Sequence, residues 1–449
     1  MPHISMTDFT SGTKSVKDSN ETATVQKKKG ISAHLALINF LKGMIGPGCF
    51  SLPLAFRQAG LWTGFALVFI IGLFTCICMD KIVRCSQFLS SRNKKVKSLN
   101  YGEMVGESFK QSFPFLRRYR HLARHFVDLC LSSFVLGICS VFFIFVVDHA
   151  REIIGRIWPQ MNLSKLLYMV LALVPFELIA LVRSVRLMSY ISLAGNICML
   201  FSIAIIFSQL LTAKHVINEI PWFTSAQGVI MATGAVIYSF EGQALVLPLT
   251  NKMEHPSEMR GWTGVLTTGI VLVTAVYAGC GFYGYITYGE NVKESITLNM
   301  DQSPLNLTMK ALLALVLYTG YLLQLYSLTT SLRPLVLRLV QRKSAGDSRM
   351  TTIIVDYGLR SGIVFISFLL AVAVPNLENL IPLIGITSGM LLALVIPPLA
   401  DIATFLPVLL EEKRFCQIVL LISNNLFFCA IGIFFLVSGL ETNLRRLFS

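Results

Sequence analysis

The sequence predicts an all-α polytopic membrane protein with eleven transmembrane helices, the first and sixth of them broken. Composition is the first reason. Apolar residues make up 54% of the 449 and charged residues 14%, whereas soluble domains carry about 25% charge. Mean hydropathy is +0.67. The 31 Phe exclude disorder for most of the chain, because disordered segments are polar and poor in aromatics. Run length is the second reason. The apolar residues come in continuous runs of about 20 or more, enough for a helix to cross the hydrocarbon, while barrel strands are short and alternate. The third reason is a pair of matching interruptions in two of those runs.

The elements follow in order. Residues 1–30 are polar and end in Lys27, Lys28 and Lys29, which predicts a disordered cytosolic tail with no cleavable signal peptide. Apolar runs then fall near 33–56, 61–88, 125–149, 166–183, 188–211, 225–249, 262–287, 308–332, 353–374, 379–400 and 416–438. They make up one transmembrane domain over 31–440, followed by a short tail at 441–449. The ten Cys lie almost entirely inside these runs. They read as small core residues rather than a disulfide framework or a metal site.

The net charge of +14 is a topological signal. With the N-terminus in the cytosol, segments 1–30, 81–124, 183–187, 250–261, 333–352 and 401–415 lie inside. They hold 27 of the 38 Lys and Arg, as the positive-inside rule requires. Asn162-Leu163-Ser164 and Asn306-Leu307-Thr308 then fall outside, so Asn162 and Asn306 are glycosylation candidates. The basic runs at 92–97 and 117–120 flank spans on the cytosolic side. Anionic lipid explains them with no need for nucleic acid.

The interruptions carry the functional reading. The first span contains Gly43, Ile45 and Gly46-Pro47-Gly48, then Leu52-Pro53-Leu54. The sixth contains Ser239-Phe240-Glu241-Gly242, then Leu247-Pro248-Leu249. The offset is five spans, an odd number, so the two segments run in opposite directions through the membrane. That is the signature of an inverted repeat, here about 33–211 and about 225–400, with 416–438 as an extra helix. Unwound backbone at membrane depth is tolerated only beside protein or a wet cavity. Its freed N–H groups suit an anion and its freed carbonyls a cation, so a zwitterion fits both. Glu241 is an ionisable residue inside the second break, a costly position that marks function by default. Asp128, near the cytosolic end of the third span, is a second coupling candidate. Gly279-Cys280-Gly281-Phe282-Tyr283-Gly284 matches a dinucleotide pattern but lies within a span, with no preceding strand. No hydrolase triad, zinc helix or Walker loop is present, so no enzyme, cofactor or metal is expected.

Taken as a set, these residues resemble the amino acid/auxin permease family, and within it the proton-coupled amino acid transporter branch. The resemblance rests on Leu41-Lys42-Gly43, Gly46-Pro47-Gly48, Leu52 to Phe56, Ser239 to Gly242 and Leu247-Pro248-Leu249. Val127-Asp128, Leu136 to Ser140, Ser295 to Asn299, Tyr357 to Arg360 and Leu394 to Leu399 add to it. It implies a LeuT-like five-plus-five core. It implies a secondary active transporter of small neutral amino acids, coupled to protons and working by alternating access. The breaks would hold the substrate's carboxylate and amine, Phe240 would wall the side-chain pocket, and Gln324 and Tyr326 would reach the site. Members of the branch carry a His before Leu-Lys-Gly, linked to proton coupling. Here that position is Asn39, which does not titrate, so an uncoupled facilitator or an amino acid sensor on the same fold stays open. The expected partners are an amino acid, protons and membrane lipid. The expected location is the plasma membrane or a lysosomal or vacuolar membrane.

Overall fold

The computed structural model describes residues 30–92, 98–160, 163–217, 220–341 and 349–448. The tail predicted at 1–30 lies outside the described residues except for Gly30, and so does Asn162. Among the described residues the chain is helical throughout, with one isolated parallel bridge between Ile31 and Met253. In chain order the helices are α1 (Ala33–Met44), α2 (Gly48–Ala59), α3 (Leu61–Arg92), α4 (Tyr101–Gln111), α5 (Pro114–Arg117), α6 (Arg120–Ile157), α7 (Lys165–Ala180) and α8 (Val185–Thr212). They continue as α9 (Ala226–Ser239), α10 (Gln243–Thr250), α11 (Val265–Tyr288), α12 (Ile296–Asn299), α13 (Pro304–Gln341), α14 (Arg349–Ala373), α15 (Leu377–Ile384), α16 (Ile396–Glu411) and α17 (Phe415–Phe448).

Every predicted run falls on a helix or a helix pair. Nine spans among the described residues are long and apolar enough to cross a bilayer, and the bent pair α1 and α2 makes up to ten. The remaining run is α7. Its 16 residues give about 24 Å of helix, short of the roughly 30 Å hydrocarbon. Two helices run well past their predicted spans, because polar turns continue the helix into the interface: α6 covers Arg120–Ile157 and α13 Pro304–Gln341. The segment between α3 and α6 contains the amphipathic helix α4. A capping box starts it: Asn100 accepts from the Glu103 amide at 2.9 Å, and Glu103 accepts from the Asn100 amide at 3.3 Å. That signal, Asn followed three residues later by Glu, was readable in the sequence.

The charges within the bundle are tied up in networks. Asp401 of α16 is 1% exposed. It receives Arg84 of α3 and accepts from Asn425 Nδ2 of α17 at 2.9 Å. Lys81 donates to Asn424 and Asn425, each at 2.7 Å, and sits over the Phe428 ring. Buried Arg360 of α14 donates to the carbonyls of Ala180 and Val182 at the end of α7 and lies beside Asp356, which also takes Arg183. Fully buried Lys310 of α13 meets Glu152 of α6 at 2.9 Å. A buried charge left alone is costly, so each network fixes neighbouring helices in register.

The rod from Leu377 to Glu411 contains two π-helical stretches, Gly385–Gly389 and Leu391–Val395. It meets α9 at very close range. A Cβ at Gly385 would lie 1.9 Å from the Gly234 carbonyl oxygen. Gly→Ala in a free helix stabilises by about 1 kcal/mol. Gly385→Ala is expected to reverse that sign and destabilise by about 1–3 kcal/mol. The check is thermal unfolding of the purified protein in detergent; an unchanged or higher melting temperature would contradict the contact.

Candidate functional site

Both predicted breaks are present, and they face each other. α1 stops at Met44, the chain crosses Ile45 to Pro47, and α2 leaves at 57° to α1. Pro47 has no N–H to continue the helix. α9 stops at Ser239, and α10 starts at Gln243 after Phe240, Glu241 and Gly242. A Cβ at Gly48 would come within 2.8 Å of Ser239 Oγ, and one at Gly242 within 2.1 Å of Met44 Sδ. The close approach calls for glycine at Gly48, where a Cβ would also lie 3.0 Å from Ser239 Cα, whereas at Gly242 the neighbours are the movable ends of Met44 and Met79.

One side chain from a third helix joins them. The Tyr277 hydroxyl of α11 donates to the Met44 carbonyl at 2.6 Å and to the Ser239 carbonyl at 2.8 Å, sharing a single proton between the last residues of α1 and α9. One turn along α11, Cys280 Sγ lies 3.3 Å from the Cys49 carbonyl. Ser51 Oγ donates to Gly48 O at 2.8 Å, and Gln243 Oε1 accepts the Gly242 amide at 3.1 Å. Two carbonyls freed by the unwinding, Met44 O and Ser239 O, are therefore served by a side chain, as buried backbone requires.

Beside the breaks is a cavity of about 210 Å³. Lys42 to Gly48 and Tyr238, Ser239 and Glu241 line it. Phe134, Ile138 and Phe142 of α6 form an apolar wall, with Asn196 and Met199 of α8 and Leu317, Gly320 and Gln324 of α13 opposite. Both Glu241 carboxylate oxygens are buried; no side chain among the described residues donates to either, and the backbone amide of Gln243 approaches them. The N-terminus of α2 also opens here. Its first residue, Gly48, presents an amide with no intrahelical acceptor. The cavity thus offers an anion-seeking helix end and a buried carboxyl group in a mostly apolar space. Tyr277 already engages Met44 O and Ser239 O, which leaves Glu241 as the strongest acceptor for an ammonium.

The structure brings Gly43, Ile45, Gly46, Pro47, Gly48, Ser239, Glu241 and Gln324 together around this cavity. It does not bring the other candidates there. Phe240 turns away and packs edge-on to Tyr277, with ring centroids 5.0 Å apart, so it does not wall the pocket. Gly242 lies beneath Met44 and Met79. Tyr326 is exposed on the outside of α13. Two residues from Gln324 is about 200° round a helix, so the pair cannot share a face. Asn39 is exposed on α1 and absent from the lining. Asp128 lies further along α6, 3.8 Å from Arg124. Asn306 is 1% exposed, and its amide nitrogen donates to Gln209 and Asp301.

Sequence reasoning missed Tyr277, Lys42, Asn196 and the α6 wall. Lys42 had a signal, since it adjoins the first break. Tyr277 and Asn196 had none, because each is one polar position in a long apolar run.

A family model described as transmembrane amino acid transporter protein matches residues 29–441. The chain belongs to this family. It is 29% identical over 419 residues to skat-1 of Caenorhabditis elegans, described as a probable amino acid transporter, covering 92% of this chain and 89% of the relative. It is 26% identical over 373 residues to pathetic of Drosophila melanogaster, described as a proton-coupled amino acid transporter-like protein, covering 82% and 76%. A solved structure of a Na+-coupled sialic acid symporter, substrate-bound and outward-open, is 12% identical. It aligns with a TM-score of 0.44 over 92% of this chain and 97% of that one. Family membership together with the apolar helices makes the protein an integral, multi-pass membrane protein.

The two α13 residues give a direct comparison. Gln324→Ala is expected to weaken amino acid binding about 5- to 10-fold, the loss of about one hydrogen bond, and Tyr326→Ala to leave it unchanged. Equilibrium binding of radiolabelled amino acids to the purified protein checks this. A larger effect from Tyr326→Ala would reverse the assignment of the lining face.

Proposed function

We propose that the protein is a secondary transporter that carries small neutral amino acids across the membrane by alternating access, coupled to protons. The observation that carries this reading is the meeting of two helix breaks at a small cavity holding one carboxylate to which no side chain among the described residues donates. The α2 N-terminus would take the substrate carboxylate, and Glu241 its ammonium. The apolar wall from Phe134 to Phe142 would exclude a charged side chain, and a volume of about 210 Å³ favours a small one. In this reading Gly43, Gly46, Pro47, Gly48, Ser239 and Gly242 shape the breaks, while Gln324 and Asn196 finish the polar lining.

The accompanying topology has eleven crossings, with α7 as the short one, and an N-terminus in the cytosol. Two repeats of opposite orientation, about 33–211 and about 225–400, form a LeuT-like core, and α17 is the added helix. The membrane is the plasma membrane or a lysosomal or vacuolar one. Alternating access requires one side to be shut. Arg57 at the far end of α2 donates to Val292 O at 2.6 Å and lies 3.6 Å from Glu378, and Gln58 donates to Glu378 at 3.2 Å. One turn beyond the cavity, Phe50 and Phe145 are buried with centroids 6.4 Å apart. These contacts suit a site closed on the outer side.

Coupling rests on Glu241, because Asn39 has no proton to exchange. The second reading, a facilitator or sensor, is favoured by that Asn39 alone. Proteoliposomes separate the readings. An acidic outer face is expected to raise amino acid accumulation severalfold, and Glu241→Gln to remove that response while keeping the fold. Accumulation indifferent to the gradient would overturn proton coupling; saturable binding with no flux would overturn transport.

A further inference from the structure

Away from the central cavity, a groove of about 580 Å³ runs between the ends of α6 and α13, on the side that the basic-residue count assigns to the cytosol. Its floor is apolar, formed by Leu129 of α6 with Leu332 and Leu335 of α13. Its charged and imidazole lining is His121, Arg124, His125 and Arg338, with one carboxylate, Asp128. The acidic groups nearby are already engaged: Arg124 meets Glu103 at 3.0 Å and lies 3.8 Å from Asp128. Arg338 has no acidic partner among the described residues.

A second observation says what lies outside the groove. From α5 into α6, Phe115, Tyr119, Leu122, Phe126 and Leu129 are spaced four, three, four and three residues apart. That spacing puts Leu122, Phe126 and Leu129 on one face of α6, with Phe115 of α5 and Tyr119 just ahead of them, and in chain order the five are 66%, 48%, 65%, 46% and 66% exposed. An apolar stripe this open on a membrane protein faces acyl chains. Leu129 belongs to both the stripe and the groove floor, so the groove opens toward lipid.

We propose that this groove holds an anionic phospholipid. Its headgroup lies against Arg338, with His121 and His125 beside it, and one acyl chain lies along Leu129, Leu332 and Leu335. The charge of the rim selects the headgroup, and the apolar floor selects a lipid over a soluble anion. Both walls belong to helices that also line the central cavity, through Ile138 of α6 and Gln324 of α13. A bound lipid therefore braces α6 against α13 at one end of the substrate site.

The experiment is native mass spectrometry of the full-length protein in detergent. Phosphatidylserine is titrated against phosphatidylcholine of the same chain length, with soluble glycerophosphoserine as competitor. The wild type is expected to retain phosphatidylserine over phosphatidylcholine. Arg338→Gln and His125→Gln are each tested separately; Arg338→Gln is expected to weaken retention about fivefold, the effect of one basic residue near a lipid surface. Arg151→Gln, at the opposite end of α6, should leave retention unchanged, and melting temperatures confirm that each variant is folded. Equal retention of both lipids, unchanged retention in folded Arg338→Gln and His125→Gln, or full competition by glycerophosphoserine overturns the proposal.

Discussion

The fold depends on satisfying backbone that has been unwound inside a bundle. Breaking two helices at membrane depth frees carbonyls and amides that hydrocarbon cannot solvate, each at a cost of several kcal/mol if left alone. Tyr277 resolves much of this by placing one hydroxyl between Met44 O and Ser239 O. It does so from α11, a regular helix that packs on α1, α2 and α3. The two breaks are thereby held to each other and to a third helix. Gly48 against Ser239 and Gly242 against Met44 complete the contact by steric fit. A bulky residue at Gly48 would separate the breaks and open the backbone groups that Tyr277 closes.

The same economy governs the charges. Asp401, Lys81, Arg360 and Lys310 are buried, and each is held by partners from other helices. Such networks specify register more than they add stability, since desolvation cancels much of the attraction. Glu241 is the exception among them. Its oxygens are buried, and among the described residues no side chain donates to them. In a bundle where other buried charges are matched, a carboxylate without a side-chain partner is most simply read as one whose partner arrives from outside.

The helices and the two breaks were legible because their signals are local. Continuous apolar runs mark the spans. Gly46-Pro47-Gly48 and Glu241-Gly242, each followed by Leu-Pro-Leu, mark the breaks. The signal for α4, Asn100 and Glu103, is equally local, but it lies in a charged segment that hydropathy alone reads as loop. Phe240 and Tyr326 show the limit. A residue next to a break is near the site in sequence, but its side chain follows the helix angle. That angle sends Phe240 toward Tyr277 and Tyr326 to the outer surface.

By itself the sequence determined the class of protein, the place of its apolar runs, and the location of its two backbone interruptions. These follow from run length and from residues that cannot sustain a helix, properties fixed within a few turns of chain. Only the tertiary structure decided which side chains share the cavity: Asn196 from α8, Gln324 from α13, the α6 wall, and Tyr277 between the breaks. It also decided that Asn306 is enclosed and that Asp128 stands apart from the central cavity. The reason is rotational. In a uniformly apolar helix every face can meet lipid or protein, so the packing of neighbours, and not the pattern of residues, selects the face turned inward.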